Sequence, residues 1–285
     1  MFPDGTVVAS DLLVEGVHWD GQLSAEDVGF KAVAVNASDM AASGAQPTWM
    51  LLDLAVPRGD EAWVEGFAQG LGEGARTWDV DLIGGGTSSV PPAAPRFVAI
   101  TMAGRTGPAG PLRRDSAQAG DLLVVTGIPG LASAARFSDD PHPDALRALR
   151  RPTARVAFAL AIAPHVSAAM DLSDGLHQDL PRMCRASGVG AAVDPAALPD
   201  HPAFAHARVP AETLQLAGGD DYELLLAVPP DALRAVHALA SEHDVRTSVI
   251  GEFTADRGIR IGRDEDWPQA PWSHFEGEPG SGVER

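Results

Sequence analysis

A two-domain α/β protein is what the sequence predicts, on three observations: its length, an alternation of β-rich runs with helical periodicity in both halves, and a Gly/Pro-rich break between them. At 285 residues the chain has room for one large domain or two ordinary ones. A hydrophobic fraction of 45% with 30 Gly and 23 Pro fits a globular chain with many tight turns and excludes fibrous and disordered classes.

In the first half, residues 6–10, 48–56 and 96–103 read as strands, and residues 27–42 and 61–77 carry helical periodicity. Residues 104–111 are dominated by Gly and Pro and are expected to hold neither a helix nor a central strand. The boundary is placed there, giving units at 1–106 and 107–275. Beyond it, residues 122–125, 222–228 and 248–252 read as strands, and residues 153–163 and 175–186 as helices. The tail at 276–285 has little to bury and is expected to fray.

Charge narrows the partners. Asp and Glu total 39 against 21 Lys and Arg, a formal charge of −18 that repels nucleic acid and acidic membrane surfaces and favours cations. Cys184 is the only cysteine, which excludes an internal disulfide and a Cys-x-x-Cys metal knuckle. The start lacks a basic segment followed by an apolar one, and no run is long and apolar enough to span a bilayer, so the chain reads as soluble and cytoplasmic.

Aspartates stand beside Gly, Ser and other small residues in three places: Ser10-Asp11, Asp171-Leu172-Ser173-Asp174-Gly175, and Gly218-Gly219-Asp220-Asp221-Tyr222-Glu223. Magnesium is commonly held by one or two carboxylates with waters and substrate phosphates, so single Asp residues converging on a nucleotide make chemical sense. Taken alone, Asp174 would read as the N-cap of the helix that follows. Asp39 lies in a helix whose Phe30, Val33, Ala37 and Met40 share one face. Among small apolar neighbours, its carboxylate must either face water or find a cation or hydrogen-bonding partner. There is no G-x-x-x-x-G-K-[ST] loop, and Gly84-Gly85-Gly86-Thr87-Ser88-Ser89 fails the dinucleotide fingerprint at its third glycine. A triple glycine after a strand suits either a plain turn or close backbone approach to phosphate. No H-E-x-x-H or G-x-S-x-G occurs, which argues against a zinc hydrolase or an esterase. His18 and Trp272 would, alone, be an ordinary loop histidine and a packing residue.

Together the runs from Ser10 to His18, Lys31 to Ala45, Asp171 to Gly175 and Gly218 to Leu224 resemble thiamine-monophosphate kinase, in that family's order along the chain. The resemblance implies a two-domain α/β protein of aminoimidazole ribonucleotide synthetase-like architecture, with an N-terminal α/β domain that dimerises through its sheet and a C-terminal α/β domain. It implies phosphorylation of thiamine monophosphate to thiamine diphosphate, dependent on ATP and Mg²⁺, by direct in-line transfer. On matching positions Asp11, Asp39 and Asp174 take the catalytic places, and Ser10, Asp11, Asp39, Asp171 and Asp174 those of magnesium ligands. Gly85, Gly86, Arg114 and Ser173 match ATP contacts. His18, Asp220 and Trp272 match contacts to thiamine monophosphate.

Three departures accompany the match. Gly86 occupies the place of a metal-binding Asp, Asp220 replaces the usual Glu, and the family's N-terminal Gly-Asp-Asp segment has no counterpart ahead of Met1. They leave two alternatives: a catalytically impaired homologue that still binds nucleotide or thiamine phosphate, and another ATP-dependent synthetase of the superfamily.

Overall fold

The computed structural model describes Phe2 and residues 4–262; the expected fraying tail lies outside them. In β1 (Thr6–Val14), two-residue alternation buries Val7 and Leu13 while exposing Val8, Ser10 and Leu12. Helix α1 (Ala25–Ala42) opens on a reciprocal cap, in which Ser24 Oγ accepts from the Asp27 N–H and the Asp27 carboxylate accepts from the Ser24 N–H. It is followed by β2 (Ala45–Pro57), α2 (Glu61–Trp78), β3 (Asp81–Val90) and β4 (Phe97–Thr106). The four strands form one sheet in the order β1-β4-β2-β3, parallel only between β2 and β3. Helix α1 lies against β1, β2 and β4, and α2 packs on α1. Among the described residues the opposite face of the sheet is open, with Val8 and Leu12 exposed there and Leu82 and Ile83 exposed on the edge strand β3.

The second half contains β5 (Leu122–Thr126), α3 (Leu131–Arg136), α4 (Pro143–Arg150), α5 (Val156–Ile162), β6 (Ala168–Leu172), α6 (Leu176–Ser187) and β7 (Gly190–Val193). It closes with α7 (Ala211–Ala217), β8 (Glu223–Val228), α8 (Leu233–Glu242), β9 (Thr247–Thr254) and β10 (Ile259–Ile261). Its sheet runs β10-β7-β9-β5-β8-β6 and is antiparallel except between β10 and β7. One face packs Leu123, Val125 and Leu225 against Leu176, Leu180 and Met183 of α6. The other turns Val124, Leu224 and Leu226 into the core that holds α1 and the first sheet. An α1 buried on nearly every side is thus shared by both sheets, as an all-round apolar helix must be. Among the described residues no helix is long and apolar enough to cross a membrane.

Two expectations about glycine need correction. Residues 104–106 continue β4, a central strand, rather than breaking it. A Cβ on Gly104 would sit 2.5 Å from the Gln46 carbonyl oxygen, so the missing side chain lets β4 approach β2 at its irregular stretch near Pro47. Gly84 to Gly86 form no turn; they lie within β3 and pair with Leu51 to Asp53 of β2. The helix expected over 153–163 begins later, at Val156. Short helices α3, α4, α7 and α8 and strands β7 and β10 went unread because segments this brief show little periodicity.

Gly85 is the position where glycine is required, since its φ is +136° and a Cβ would fall 1.8 Å from the Leu52 carbonyl oxygen. Gly85→Ala is therefore expected to cost about 2 kcal/mol or more. At Gly86 the added carbon meets only the Asp53 carboxylate, at 3.2 Å, and Gly86→Ala should stay within about 1 kcal/mol of the parent. Urea unfolding of both variants checks this, and equal costs would contradict it.

Candidate functional site

A cavity of about 300 Å³ opens where α1 and β1 meet the turns that follow β6 and precede β8. Asp11, His18, Asp39, Asp171, Ser173, Asp174 and Asp220 all line it. Each reaches the wall for a local reason. Asp11 is on the α1 side of β1, one residue out of phase with the exposed series Val8, Ser10 and Leu12. Asp39 comes from the last turn of α1. Asp171 is near the end of β6, and Ser38 Oγ donates to its Oδ2 at 2.9 Å. Ser173 and Asp174 form the turn into α6, where both backbone N–H groups donate to Asp179 Oδ2 at 3.1 and 3.0 Å.

The N-cap reading of Asp174 is corrected. The N-cap of α6 is Gly175 and no side chain caps it; Asp174 Oδ2 accepts instead from Arg182 Nη1 at 2.5 Å. The same Arg182 nitrogen donates to Asp179 Oδ1 at 2.7 Å, so Asp179 and Arg182 fix the turn.

Electrostatics divide the cavity. Burial raises the Asp11 carboxyl. Burial, with Asp171 and Asp11 nearby, pushes Asp39 up to about 8. Burial likewise lifts Asp171 to about 6, against the Ser38 hydrogen bond, and Asp179 to about 7. Among the described residues no protein donor reaches the carboxylate of Asp11 or of Asp39. Asp220 behaves oppositely: burial alone would raise it, but Lys31 and Arg136 hold it below the usual 3.8. Its Oδ2 accepts from Lys31 Nζ at 2.6 Å and from Arg136 Nη2 at 2.9 Å. His18 Nδ1 accepts from the Val14 N–H at 3.0 Å, and its carbonyl accepts from Arg136 Nη2 at 3.4 Å.

An all-oxygen set of like charges, raised by burial and short of donors, fits a hard divalent cation such as magnesium. Among the described residues no three acidic, His or Cys side chains converge closely enough to enclose a metal alone. That suits an ion which keeps several waters and takes other oxygens from substrate phosphates.

Four sequence candidates are not brought into this cavity. Ser10 points to the open face of the sheet, 3.1 Å from Thr101 Oγ1. Gly85 and Gly86 lie on the exposed edge strand at the far side of the sheet from β1. Arg114 is exposed, and its carbonyl accepts from Ser187 Oγ. Trp272 lies outside the described residues. Sequence reasoning gave no role to Lys31, Ser38, Arg136 or Asp179. A lysine between Phe30 and Ala32 on an apolar helix was the one available signal, because a buried ammonium needs a partner.

Family models for AIR synthase related proteins match both halves, the N-terminal domain over residues 3–106 and the C-terminal domain over residues 118–264. Thiamine-monophosphate kinase of Salmonella typhimurium is 36% identical over 269 residues, spanning 90% of this chain and 82% of that protein. The crystal structure of thiamine-monophosphate kinase from Stenotrophomonas maltophilia shares 36% identity at a TM-score of 0.85, covering 92% of this chain and 86% of that one. AaThiL complexed with AMPPCP and TMP shares 27% identity at a TM-score of 0.83, covering 95% and 87%.

Asp39 offers a test of the carboxylate wall. Its carboxyl titrates near 3.8 in an unfolded chain and at about 8 in place, so between those values the folded protein holds a proton that the unfolded chain has released. Stability of the metal-free protein therefore falls as pH rises through that window. Asp39→Asn should flatten this dependence, raise the metal-free melting temperature at pH 8 by at least about 2 °C, and reduce the stabilisation given by added magnesium. Thermal melts with and without Mg²⁺ check it, and a variant less stable than the parent at pH 8 would contradict it.

Proposed function

The chain belongs to the AIR synthase related family, within it to the thiamine-monophosphate kinases, and on that premise we propose that it transfers the terminal phosphoryl group of ATP to thiamine monophosphate, giving thiamine diphosphate and ADP. The observation that carries the reading is the cavity itself, in which Asp11, Asp39, Asp171 and Asp174 share a wall and Arg136 faces in. That is an arrangement for two polyanions, each of which needs its charge offset.

The acceptor's phosphate monoester has a second pKa of about 6, so near neutrality its attacking oxygen is already largely deprotonated. No side chain has to remove a proton, which accords with a cavity lined, among the described residues, by no lysine and by a single histidine, His18. The protein's task is to hold donor and acceptor in line and to keep opposing charge beside the transferring group. Asp11, Asp39, Asp171 and Asp174 are the residues that would hold magnesium, which when bound neutralises phosphate charge and orients the oxygens. Asp179 and Arg182 keep the Ser173–Asp174 turn in place, and Ser38 orients Asp171.

The same reading assigns residues 1–106 to the unit bearing Asp11 and Asp39, and 107–275 to the unit bearing Asp171, Asp174 and Asp220. It takes the open sheet face, with Val8 and Leu12 exposed, as the surface on which two copies pair. It places the reaction in the cytoplasm, where ATP is available.

Incubation with ATP, thiamine monophosphate and Mg²⁺ is expected to yield thiamine diphosphate and ADP in equal amounts, from a species that sediments as a dimer, and nothing without divalent metal. Asp174→Asn should lose most turnover while costing at most about 1 kcal/mol of stability, since its ion pair with Arg182 is partly exposed. Binding of both substrates with no product at saturating metal would reject the kinase reading in favour of a binding protein.

A further inference from the structure

One positive side chain stands among the described residues that line the cavity. Among the described residues Arg136, the last residue of α3, is the only Lys or Arg there, beside the carboxylates of Asp11, Asp39, Asp171, Asp174 and Asp220. Its Nη2 donates to Asp220 Oδ2 at 2.9 Å and to the His18 carbonyl at 3.4 Å. Lys31 Nζ donates to the same Asp220 oxygen at 2.6 Å and to the Leu149 carbonyl at 3.1 Å. Two cations therefore share one carboxylate.

The balance decides where the surplus charge goes. The Lys31 side chain is 1% exposed and has no route to a ligand, whereas that of Arg136 is 24% exposed and borders the cavity. Asp220 offsets the buried ammonium, and the remaining positive charge is presented by the guanidinium. A guanidinium carries five donors in a planar fork. Among the described residues Nε and Nη1 of Arg136 have no protein acceptor, and both bonds to protein leave from Nη2. An arginine held by one corner with its other donors unspent is the geometry that recognises phosphate oxygens in pairs.

We propose that Arg136 is the phosphate-recognising residue of this cavity, engaging a substrate phosphate group across from the carboxylate wall. The inference rests on the kinase reading for the identity of its ligands. The phosphate belongs either to the acceptor monoester or to the nucleotide, and a lysine in the same place would supply charge without the paired donors.

Calorimetric titration of the full chain with thiamine monophosphate, unphosphorylated thiamine and ATP, in the presence of Mg²⁺, separates the cases. In Arg136→Met the affinity for one phosphate ligand should fall about ten- to a hundredfold, as expected for a lost charge-assisted contact, while thiamine binds as in the parent. A fall confined to thiamine monophosphate assigns the acceptor phosphate, and a fall confined to ATP assigns the nucleotide. Unchanged affinities for both, or an equal fall for thiamine, overturn the proposal. If Arg136→Met does not fold, Arg136→Lys decides on the same titrations, with a smaller loss for the phosphate ligand and none for thiamine. A parent that makes no thiamine diphosphate, yet loses phosphate affinity on substitution, sinks the kinase reading and leaves Arg136 in its role. A parent that turns over normally beside an unaffected Arg136→Met sinks this inference alone.

Discussion

Lys31 is fully buried on a helix of the first unit, and the carboxylate it meets, Asp220, comes from a turn of the second. Burial pulls the lysine's pKa down, and Asp220 is the main group that pulls it back. A lone ammonium in this position would carry an unrepaid desolvation cost. The pair therefore fixes where α1 sits against the second sheet, and with it the position of Asp39 two turns further along the same helix. The turn that supplies Asp220 is held from several sides. Asp221 accepts from the Gly130 and Ala132 N–H groups at the start of α3, and Glu223 takes both Arg155 and Thr126. Asp220 and Tyr222 both have positive φ, at 75° and 54°, which non-glycine residues adopt at a cost. The surrounding ion pairs and hydrogen bonds hold the chain there.

From that anchoring the cavity acquires two unlike walls. Burial raises the carboxyls of Asp39 and Asp171, with Asp11 adding to both and Asp171 to Asp39, while Lys31 and Arg136 hold Asp220 low. The same residue type thus marks opposite needs: the first group lacks positive charge and the second already has it. A metal ion with phosphates would complete the first wall, and Arg136 extends the second toward the same space. Phosphoryl transfer between two anions asks for this kind of environment and for little proton chemistry.

Much of this was legible in the sequence, for physical reasons that differ by element. Alternation in β1 and helical spacing in α1 and α2 are properties of single segments, and those elements fell where periodicity placed them. The aspartates could be read because each stands beside small residues in a recognisable string, and seven of the residues so marked line one cavity. Ser10 shows what a string hides: adjacent strand residues point to opposite faces, so Ser10 and Asp11 cannot both face α1. Arg136 and Asp179 gave no local signal, since their significance lies in partners on other segments, Asp220 for one and the 173–174 backbone for the other. Gly104 was misread because its role is to let a neighbouring strand approach, which depends on pairing that no single segment encodes.

The claim that one buried pair joins both units into a single site is tested most directly by a double-mutant cycle on Lys31 and Asp220, read by urea unfolding. Asp220→Asn is predicted to cost about 3 kcal/mol or more, because Lys31 is left buried without its counter-charge, whereas Lys31→Met should cost less, because Arg136 still pairs with Asp220. The double variant should cost much less than the sum, with a coupling of at least about 1 kcal/mol. Strictly additive costs would mean that the two residues do not depend on one another, and would contradict the account.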